Sequence, residues 1–241
     1  MDLTTLNIVL LNQTDFIDSQ TVKLEDERFL HIRDIHKSQP GDSVRLGEIN
    51  GLMGSGSITC MGTEYVELKV SLYQTPPKKL PLSLVLALPR PKMLRRVLRT
   101  VAELGVAELH LINSYRVEKS FWHTPVLEQK NIEKYLLQGL QQAKDTMLPS
   151  ISIHPLFKPF VEDSLPPLIK NQRAMLAHPK HGSPCPHCID EELVLIIGPE
   201  GGFIPYEVKK LLDAGCEGIH LGERILRVEN AVSVLIAKLF S

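Results

Sequence analysis

The sequence predicts an α/β protein in two parts, a small β-barrel over residues 1–73 and a mostly parallel α/β domain over residues 82–241. Three observations support this division. Short alternating apolar runs between glycine and asparagine turns fill the first part. Three prolines in residues 74–81 resist both helix and central strand and therefore indicate a linker. Beyond it, short apolar runs alternate with segments of helical periodicity, as in repeated βα units.

The composition is that of a soluble globular protein, with 43% hydrophobic and 23% charged residues. A net charge of −1 gives no global sign of a nucleic-acid partner, so such a partner would need a local basic patch. The apolar runs near the start are too short for a signal peptide or a membrane span. We therefore expect a cytoplasmic protein without a membrane partner.

The first part is expected to be mostly strands and turns, with one helix. That helix is predicted at Glu25–Lys37, because Phe29 and Ile32 fall at helical spacing. The same part carries Arg33 and Lys37, which are either ordinary surface charges or part of a nucleic-acid-binding face.

The second part is predicted to alternate strands and helices. The predicted strands are Leu82–Leu88, Ala107–Ile112, Ile151–Ile153, Ala174–Ala177, Leu193–Ile197 and Gly218–Leu221. The predicted helices are Met93–Leu104, Glu128–Lys144, Glu162–Lys170, one between Pro205 and Gly215, and one that begins at Val228 or Glu229. In the helix after Pro205, Val208 and Leu211 share the apolar face and Glu207 lies on the polar side.

Two of these strands run into glycine-bearing loops. Leu193–Ile197 ends at Gly198–Gly202, and Gly218–Leu221 ends at Gly222. If the two strands are parallel and adjacent, both loops lie at their carboxyl ends, where open α/β sheets bind ligands. The loops lack the lysine of a phosphate loop and the spacing of a dinucleotide fold, and Glu200 would repel phosphate. A ligand with cationic character, held largely by backbone groups, fits better.

The segment from Lys78 to Thr100 holds seven cationic residues and no acid. It is either a solvated helix face or an edge that binds phosphates of a polyanion. Together with the cations of the first part, it supplies the candidate nucleic-acid-binding residues. These are Arg33, Lys37, Arg90, Lys92, Arg95, Arg96 and Arg99.

Aromatic residues follow the next strand among further cations, a combination suited to stacking on unpaired bases. These residues are Tyr115, Arg116, Lys119, Phe121 and Trp122. The Trp122 ring could equally belong to the core or to a dimer contact.

Cys185 and Cys188 form a CxxC pair with His178 and His181 nearby, which could supply zinc ligands. No second CxxC pair accompanies them, and the segment reads as a solvated loop. No metal ligand is therefore predicted and a plain loop is the favoured interpretation, while a zinc site at Cys185 and Cys188 stays open as the alternative.

Two motifs near the carboxyl terminus resemble a known signature. They are Gly198-Pro199-Glu200-Gly201-Gly202-Phe203 and Leu221-Gly222-Glu223-Arg224-Ile225-Leu226-Arg227-Val228-Glu229-Asn230-Ala231. Further matches include His31, Pro40-Gly41-Asp42, Lys92, Glu103-Leu104-Gly105-Val106, Pro149 and Leu176-Ala177-His178-Pro179. The chain resembles the RsmE family, the ribosomal RNA uridine-N3 methyltransferases of the small subunit, within the SPOUT superfamily.

This resemblance implies a fold, a reaction and partners. The fold would be a PUA-like β-barrel that binds RNA, followed by an α/β SPOUT domain with a deep trefoil knot. The reaction would be S-adenosylmethionine-dependent methylation of N3 of a uridine in 16S ribosomal RNA, a step of ribosomal RNA processing and ribosome biogenesis. The enzyme would act as a homodimer on ribosomal RNA or the small ribosomal subunit.

The resemblance also implies where S-adenosylmethionine binds. The matching cofactor-binding residues are Leu176, His178, Ile197, Gly198, Gly201, Gly202, Leu221, Gly222, Ile225, Leu226 and Ala231. Arg227 and Glu229 are the candidate catalytic residues. Uracil N3 must lose a proton, so Arg227 would stabilise developing charge and Glu229 would orient the base or remove the proton. Glu229 could instead cap the helix that it opens.

Some positions depart from the family pattern. The family's acid and arginine before the matched Pro149 are missing from Gln141–Asp145, a threonine appears as Asn230, and an arginine appears as Lys37. The RNA-facing parts thus differ more than the cofactor loops. Two alternatives stay open: an RNA-binding protein that lost catalysis or changed its target, and a knotted methyltransferase acting on transfer RNA.

Overall fold

The structure, a computed structural model, describes residues 8–35, 37–180 and 182–240. The chain folds as two compact units. The first comprises the residues up to 78 together with residues 137–148. The second comprises residues 79–136 and the chain from residue 149 onward.

The first unit contains a five-stranded sheet curled into a half-barrel, in the strand order β1-β3-β4-β5-β2. Its strands are β1 Val9–Leu11, β2 Thr21–Leu24, β3 Ser43–Glu48, β4 Met53–Met61 and β5 Val66–Gln74. The β1–β3 pair is parallel and the other pairs are antiparallel. Every second residue of β2 and of the first part of β5 is buried, so one face of the sheet forms an apolar core with Phe29 and Ile32.

The helix predicted at Glu25–Lys37 is shorter than expected. Helix α1 covers only Glu27–Leu30, and a π-helical turn follows from His31 to Ile35. Asp26 caps α1 by accepting a hydrogen bond from the backbone of Arg28. Lys37 adopts a left-handed conformation, with a φ of 52° that no right-handed helix can contain.

The second unit is built on a seven-stranded parallel sheet in the order β10-β12-β9-β11-β6-β7-β8. Its strands are β6 Leu80–Ala87, β7 Val106–Ile112, β8 Ser150–His154, β9 Arg173–Ala177, β10 Ser183–Pro184, β11 Leu193–Ile197 and β12 Glu217–His220. Every residue of β11 is buried, as is usual for a central strand of a parallel sheet.

The helices fall close to the predicted segments. They are α2 Pro91–Glu103, α3 Gln129–Ala143, α4 Phe157–Pro159, α5 Leu165–Ile169, α6 Pro205–Asp213 and α7 Val228–Phe240. Gly105 and Gly215 follow α2 and α6 with φ angles of 69° and 104°, which are unfavourable for other residue types. In the described part of the chain, no helix is both long enough and apolar enough to cross a bilayer.

Only part of the condition set for the two glycine loops is met. The strands that lead into the two glycine loops, β11 and β12, are parallel but not adjacent, because β9 lies between them. Ala177 at the end of β9 is opposite Ile197 of β11 on one side and Ile219 of β12 on the other. The carboxyl ends of three neighbouring strands therefore meet at one edge of the sheet.

Candidate active site

A cavity of about 920 Å³ lies where these three strands end. Its walls come from the loops that follow β9, β11 and β12 and from the first turns of α7. Both glycine loops predicted to bind a ligand line it. The cavity is therefore located where open α/β sheets bind ligands.

Nearly all of the residues predicted to hold a cofactor line this cavity. They are His178, Ile197, Gly198, Gly201, Gly202, Leu221, Gly222, Ile225, Leu226 and Ala231. Leu176 is the one that does not: it is fully buried within β9, in register with Ile196 and Gly218. Side chains alternate between the two faces of a strand, and the next residue, Ala177, lines the cavity instead.

The glycines of the cavity wall have different reasons to lack a side chain. Gly202 and Gly222 have φ angles of 71° and 102°, and a Cβ at either would meet no atom within 4 Å. A Cβ on Gly201 would lie 2.9 Å from the Cδ of Arg116. The first two thus leave open space at the cavity, whereas Gly201 makes room for an arginine.

Two contacts connect the β11 loop to loops that follow other strands. Glu200 accepts a hydrogen bond through Oε1 from the backbone N–H of Arg90, over 3.0 Å, just after β6. Arg116, in the loop after β7, donates to the carbonyl of Gly201. All four of these residues line the cavity, so its glycine wall is held in place from two sides.

The buried carboxylate of Glu207 accepts hydrogen bonds from the loop after β7. Glu207 is only 2% exposed, although the sequence placed it on the polar side of its helix. Its Oε1 accepts from the backbone N–H of Tyr115 over 2.7 Å. Its Oε2 accepts from the hydroxyl of Ser114 over 3.1 Å and from the backbone N–H of Ile204 over 3.0 Å. A glutamate at the third position of a helix commonly bonds backward in this way, and that was the available signal.

We expect Glu207→Gln to destabilise the protein by about 1–3 kcal/mol. The amide has one acceptor oxygen, so its NH₂ group must face a buried backbone N–H of either Tyr115 or Ile204. Ser114→Ala is the matched control, since it removes a hydroxyl donor and leaves the carboxylate in place. Urea unfolding measures the stability of both variants. Equal stability of Glu207→Gln and the wild type would contradict the stabilising role of the Glu207 hydrogen bonds.

The candidate catalytic residues also line the cavity. Arg227 is exposed just before α7, and Glu229 lies half-buried in its first turn. No side-chain hydrogen bond or ion pair of either residue occurs within the described residues. Glu229 lies where the helix dipole favours a carboxylate, so capping and catalysis are compatible with its position.

The candidate RNA-binding residues fall into two groups. Arg90 lines the cavity, and Lys92, Arg95 and Arg96 are exposed on α2. Arg99, on the same helix, contacts an aromatic ring. Arg99 lies 4.9 Å from the ring centre of Tyr135.

Arg33 bonds Asp34 over 2.7 Å and lies above the ring of Phe29. Lys37 is exposed. Both residues belong to the first unit.

Trp122 and the cysteine segment are the other residues that the sequence singled out. Trp122 is partly buried and donates from Nε1 to Asn113 over 3.0 Å, so its ring has a structural partner. Among the described residues, no three histidine, cysteine or acidic side chains form a metal-binding group. His181 lies outside the described residues.

A family model described as an RNA methyltransferase domain matches residues 76–240. Ribosomal RNA small subunit methyltransferase E of Treponema pallidum is 30% identical over 240 residues, covering 96% of this chain and 90% of that protein. The chain belongs to the ribosomal RNA small subunit methyltransferase E family. Ribosomal RNA small subunit methyltransferase E 1 of Borreliella burgdorferi is 24% identical over 234 residues, covering 94% of each chain.

Solved structures share the fold of this methyltransferase E family member. A ribosomal RNA small subunit methyltransferase E of Neisseria gonorrhoeae, bound to S-adenosylmethionine, aligns with a TM-score of 0.74 at 18% identity, covering 96% of this chain and 95% of that one. A Legionella pneumophila structure with bound S-adenosylmethionine aligns with the same TM-score at 22% identity, covering 95% and 96%. Each alignment covers at least 95% of both chains, so the likeness includes residues of both units.

Proposed function

We propose that this protein transfers a methyl group from S-adenosylmethionine to N3 of a uridine in small-subunit ribosomal RNA. The observation that carries the proposal is the cavity at the ends of β9, β11 and β12, lined by the two motifs that resemble the family signature. The family membership supports the reaction class, and the name of the relatives supports the RNA.

The residues of the cavity fit S-adenosylmethionine. Its volume of about 920 Å³ falls in the range of small-molecule sites. Ile197, Leu221 and Leu226 supply apolar walls for an adenine, and Gly202 and Gly222 leave space for a ligand beside the backbone. Among the described residues, the lysine that lines the cavity is Lys180, which follows β9 and neither of the two glycine loops. When bound, the cofactor supplies an electrophilic methyl group on a sulfonium.

The chain's own residues would act on the RNA base. Uracil N3 carries a proton at neutral pH, and its removal leaves negative charge on the ring. Arg227 is exposed at the cavity and can stabilise that charge. Glu229, two residues further on, can orient the base or accept its proton.

Several family properties belong to the same proposal. We assign residues 1–73 as a PUA-like RNA-binding domain, 74–81 as the linker, and 82–241 as the SPOUT domain with a trefoil knot. Arg33 and Lys37 would contribute to RNA binding from the first of these. We also propose that the protein acts in the cytoplasm as a homodimer.

The exposed cations of α2 provide a test of the RNA-binding edge. Changing Arg95 and Arg96 together to glutamate should weaken RNA binding about tenfold or more and lower the slope of log affinity against log salt by about 2. The control is the double change of Lys130 and Lys158 to glutamate, which alters net charge equally on other helices. The RNA affinity of both double variants and of the wild type is measured from low to moderate salt. An equal loss in both variants would mean that only net charge counts.

The proposed function has a direct test in two stages. Calorimetry should show binding of S-adenosylmethionine to the purified protein, and mass mapping should show one methylated uridine in small-subunit RNA after incubation with both. Absence of cofactor binding would defeat the enzyme assignment. Binding without methyl transfer would instead indicate a protein that has lost catalysis, and methylation of transfer RNA alone would show a different target.

A further inference from the structure

Tyr115 is the most exposed of the large hydrophobic side chains in the described residues, at 79%. A single exposed aromatic residue is ordinary on a protein surface and by itself indicates nothing. Tyr115 differs because its backbone is fixed while its ring is open to solvent. The reasons for this lie in the loop after β7.

The backbone of the loop is held by buried groups. Ser114 is 3% exposed and its hydroxyl bonds Glu207, which is 2% exposed and also accepts the N–H of Tyr115. The N–H of Val117 donates to the carbonyl of Ser114 over 3.0 Å, which closes a turn around Tyr115. The ring therefore projects from a rigid support, so binding a partner would cost little ordering entropy.

The surroundings indicate the chemistry of that partner. The next residue, Arg116, lines the cavity and donates to Gly201. Arg90, Arg224 and Arg227 line the same cavity. An exposed aromatic ring next in sequence to an arginine of this cationic cavity suits a base attached to phosphates, since a ring stacks on bases and cations attract the backbone.

We propose that Tyr115 is a stacking platform for an unpaired base of the RNA, held beside the cavity by Glu207. This rests on the proposed function, which makes RNA the substrate. Bases in a duplex are stacked on their neighbours, so a base that is to be modified must leave the stack. The Tyr115 ring would cover the face of the target base or of its neighbour. A tyrosine at this position would thus contribute to RNA affinity and leave cofactor affinity unchanged.

The test compares Tyr115→Ala and Tyr115→Phe with the wild type. Stacking needs the ring and not the hydroxyl, so Tyr115→Ala should weaken binding to a transcript of small-subunit ribosomal RNA roughly 5- to 150-fold. Tyr115→Phe should bind nearly as the wild type does. Tyr206→Ala is the matched control, because Tyr206 is an exposed tyrosine, 51% accessible, that lies on α6 and not in the loop after β7. Affinity for S-adenosylmethionine, measured by calorimetry, should be unchanged in all three variants.

A second readout locates the base directly. A transcript with 5-iodouridine at the methylated position or its neighbours should photo-crosslink to Tyr115 and lose that crosslink in Tyr115→Ala. Wild-type RNA affinity in Tyr115→Ala would overturn the proposal. So would a change of oligomeric state in sedimentation, which would make Tyr115 a protein contact. A wild-type protein that binds the transcript without methylating it would defeat the proposed function, while the binding comparison would still decide the role of Tyr115.

Discussion

Arg227→Ala should lower kcat for RNA methylation about 100- to 1000-fold while leaving the affinity for S-adenosylmethionine nearly unchanged. The reason is the position of Arg227, which is exposed at the cavity, has no side-chain partner among the described residues and lies next to the helix that carries Glu229. A guanidinium at this place can stabilise charge that exists only while the base loses its proton. Single-turnover methyl transfer with saturating RNA and cofactor measures the effect.

Arg224→Ala is the control for this prediction. Arg224 lines the same cavity, is also exposed and carries the same charge, but lies three residues earlier in the loop before α7 and outside the proposed catalytic pair. If general attraction of RNA were the only role of these arginines, both variants would raise KM alike and neither would lower kcat. Equal effects on KM with unchanged kcat would therefore exclude Arg227 from the chemical step.

Gly202→Ala should weaken S-adenosylmethionine binding about 10- to 100-fold, because a methyl group would enter space that the ligand needs. Gly105→Ala is a closely matched control. The φ angles of Gly202 and Gly105 are 71° and 69°, and a Cβ at either would meet no protein atom within 4 Å. The backbone strain is therefore the same, about 1–2 kcal/mol, but Gly105 ends α2 and does not line the cavity.

Calorimetry at fixed temperature measures both glycine variants, with urea unfolding to confirm that their stabilities fall by similar amounts. Only Gly202→Ala should lose affinity for the cofactor. If the two variants bind S-adenosylmethionine equally well, the cavity at Gly202 is not its site, whatever their stabilities.

The strands and helices of the second unit were predictable because each is marked at its ends by local chemistry. Leu193–Ile197 is a buried apolar run followed by glycine, and its limits agree with β11. Gly105 and Gly215 marked the ends of α2 and α6 through the left-handed conformation that each adopts. Such signals depend on residues close together in sequence, so one sequence is enough to read them.

What depends on contacts between distant segments was not predictable. Placing β9 between β11 and β12 requires knowledge of strand order, which no local pattern contains. Glu207 looked like a surface residue because its partners, Ser114 and Tyr115, are more than ninety positions away. The space at Gly201 is used by Arg116, which also lies far away in sequence.

The candidate site was predicted mainly by resemblance, and one of its residues does not line the cavity in the structure. The resemblance placed Leu176 at the cavity, but that side chain is buried in the sheet and Ala177 lines the wall. Alternation along a strand separates the two residues, and the pattern of a short apolar run does not show which face is which.

The central place of β9 has a consequence for how the protein is made. The cavity needs the ends of β9, β11 and β12 and residues as far as Leu235, so it exists only when the chain as far as α7 has left the ribosome. More than a hundred residues of sequence separate the strand β6 from its neighbour β11. Pairings over such distances form slowly, because a long loop must close before they contribute any stability. Cofactor binding should therefore be among the last properties that a newly synthesised chain acquires, and chains ending before α7 should lack it altogether.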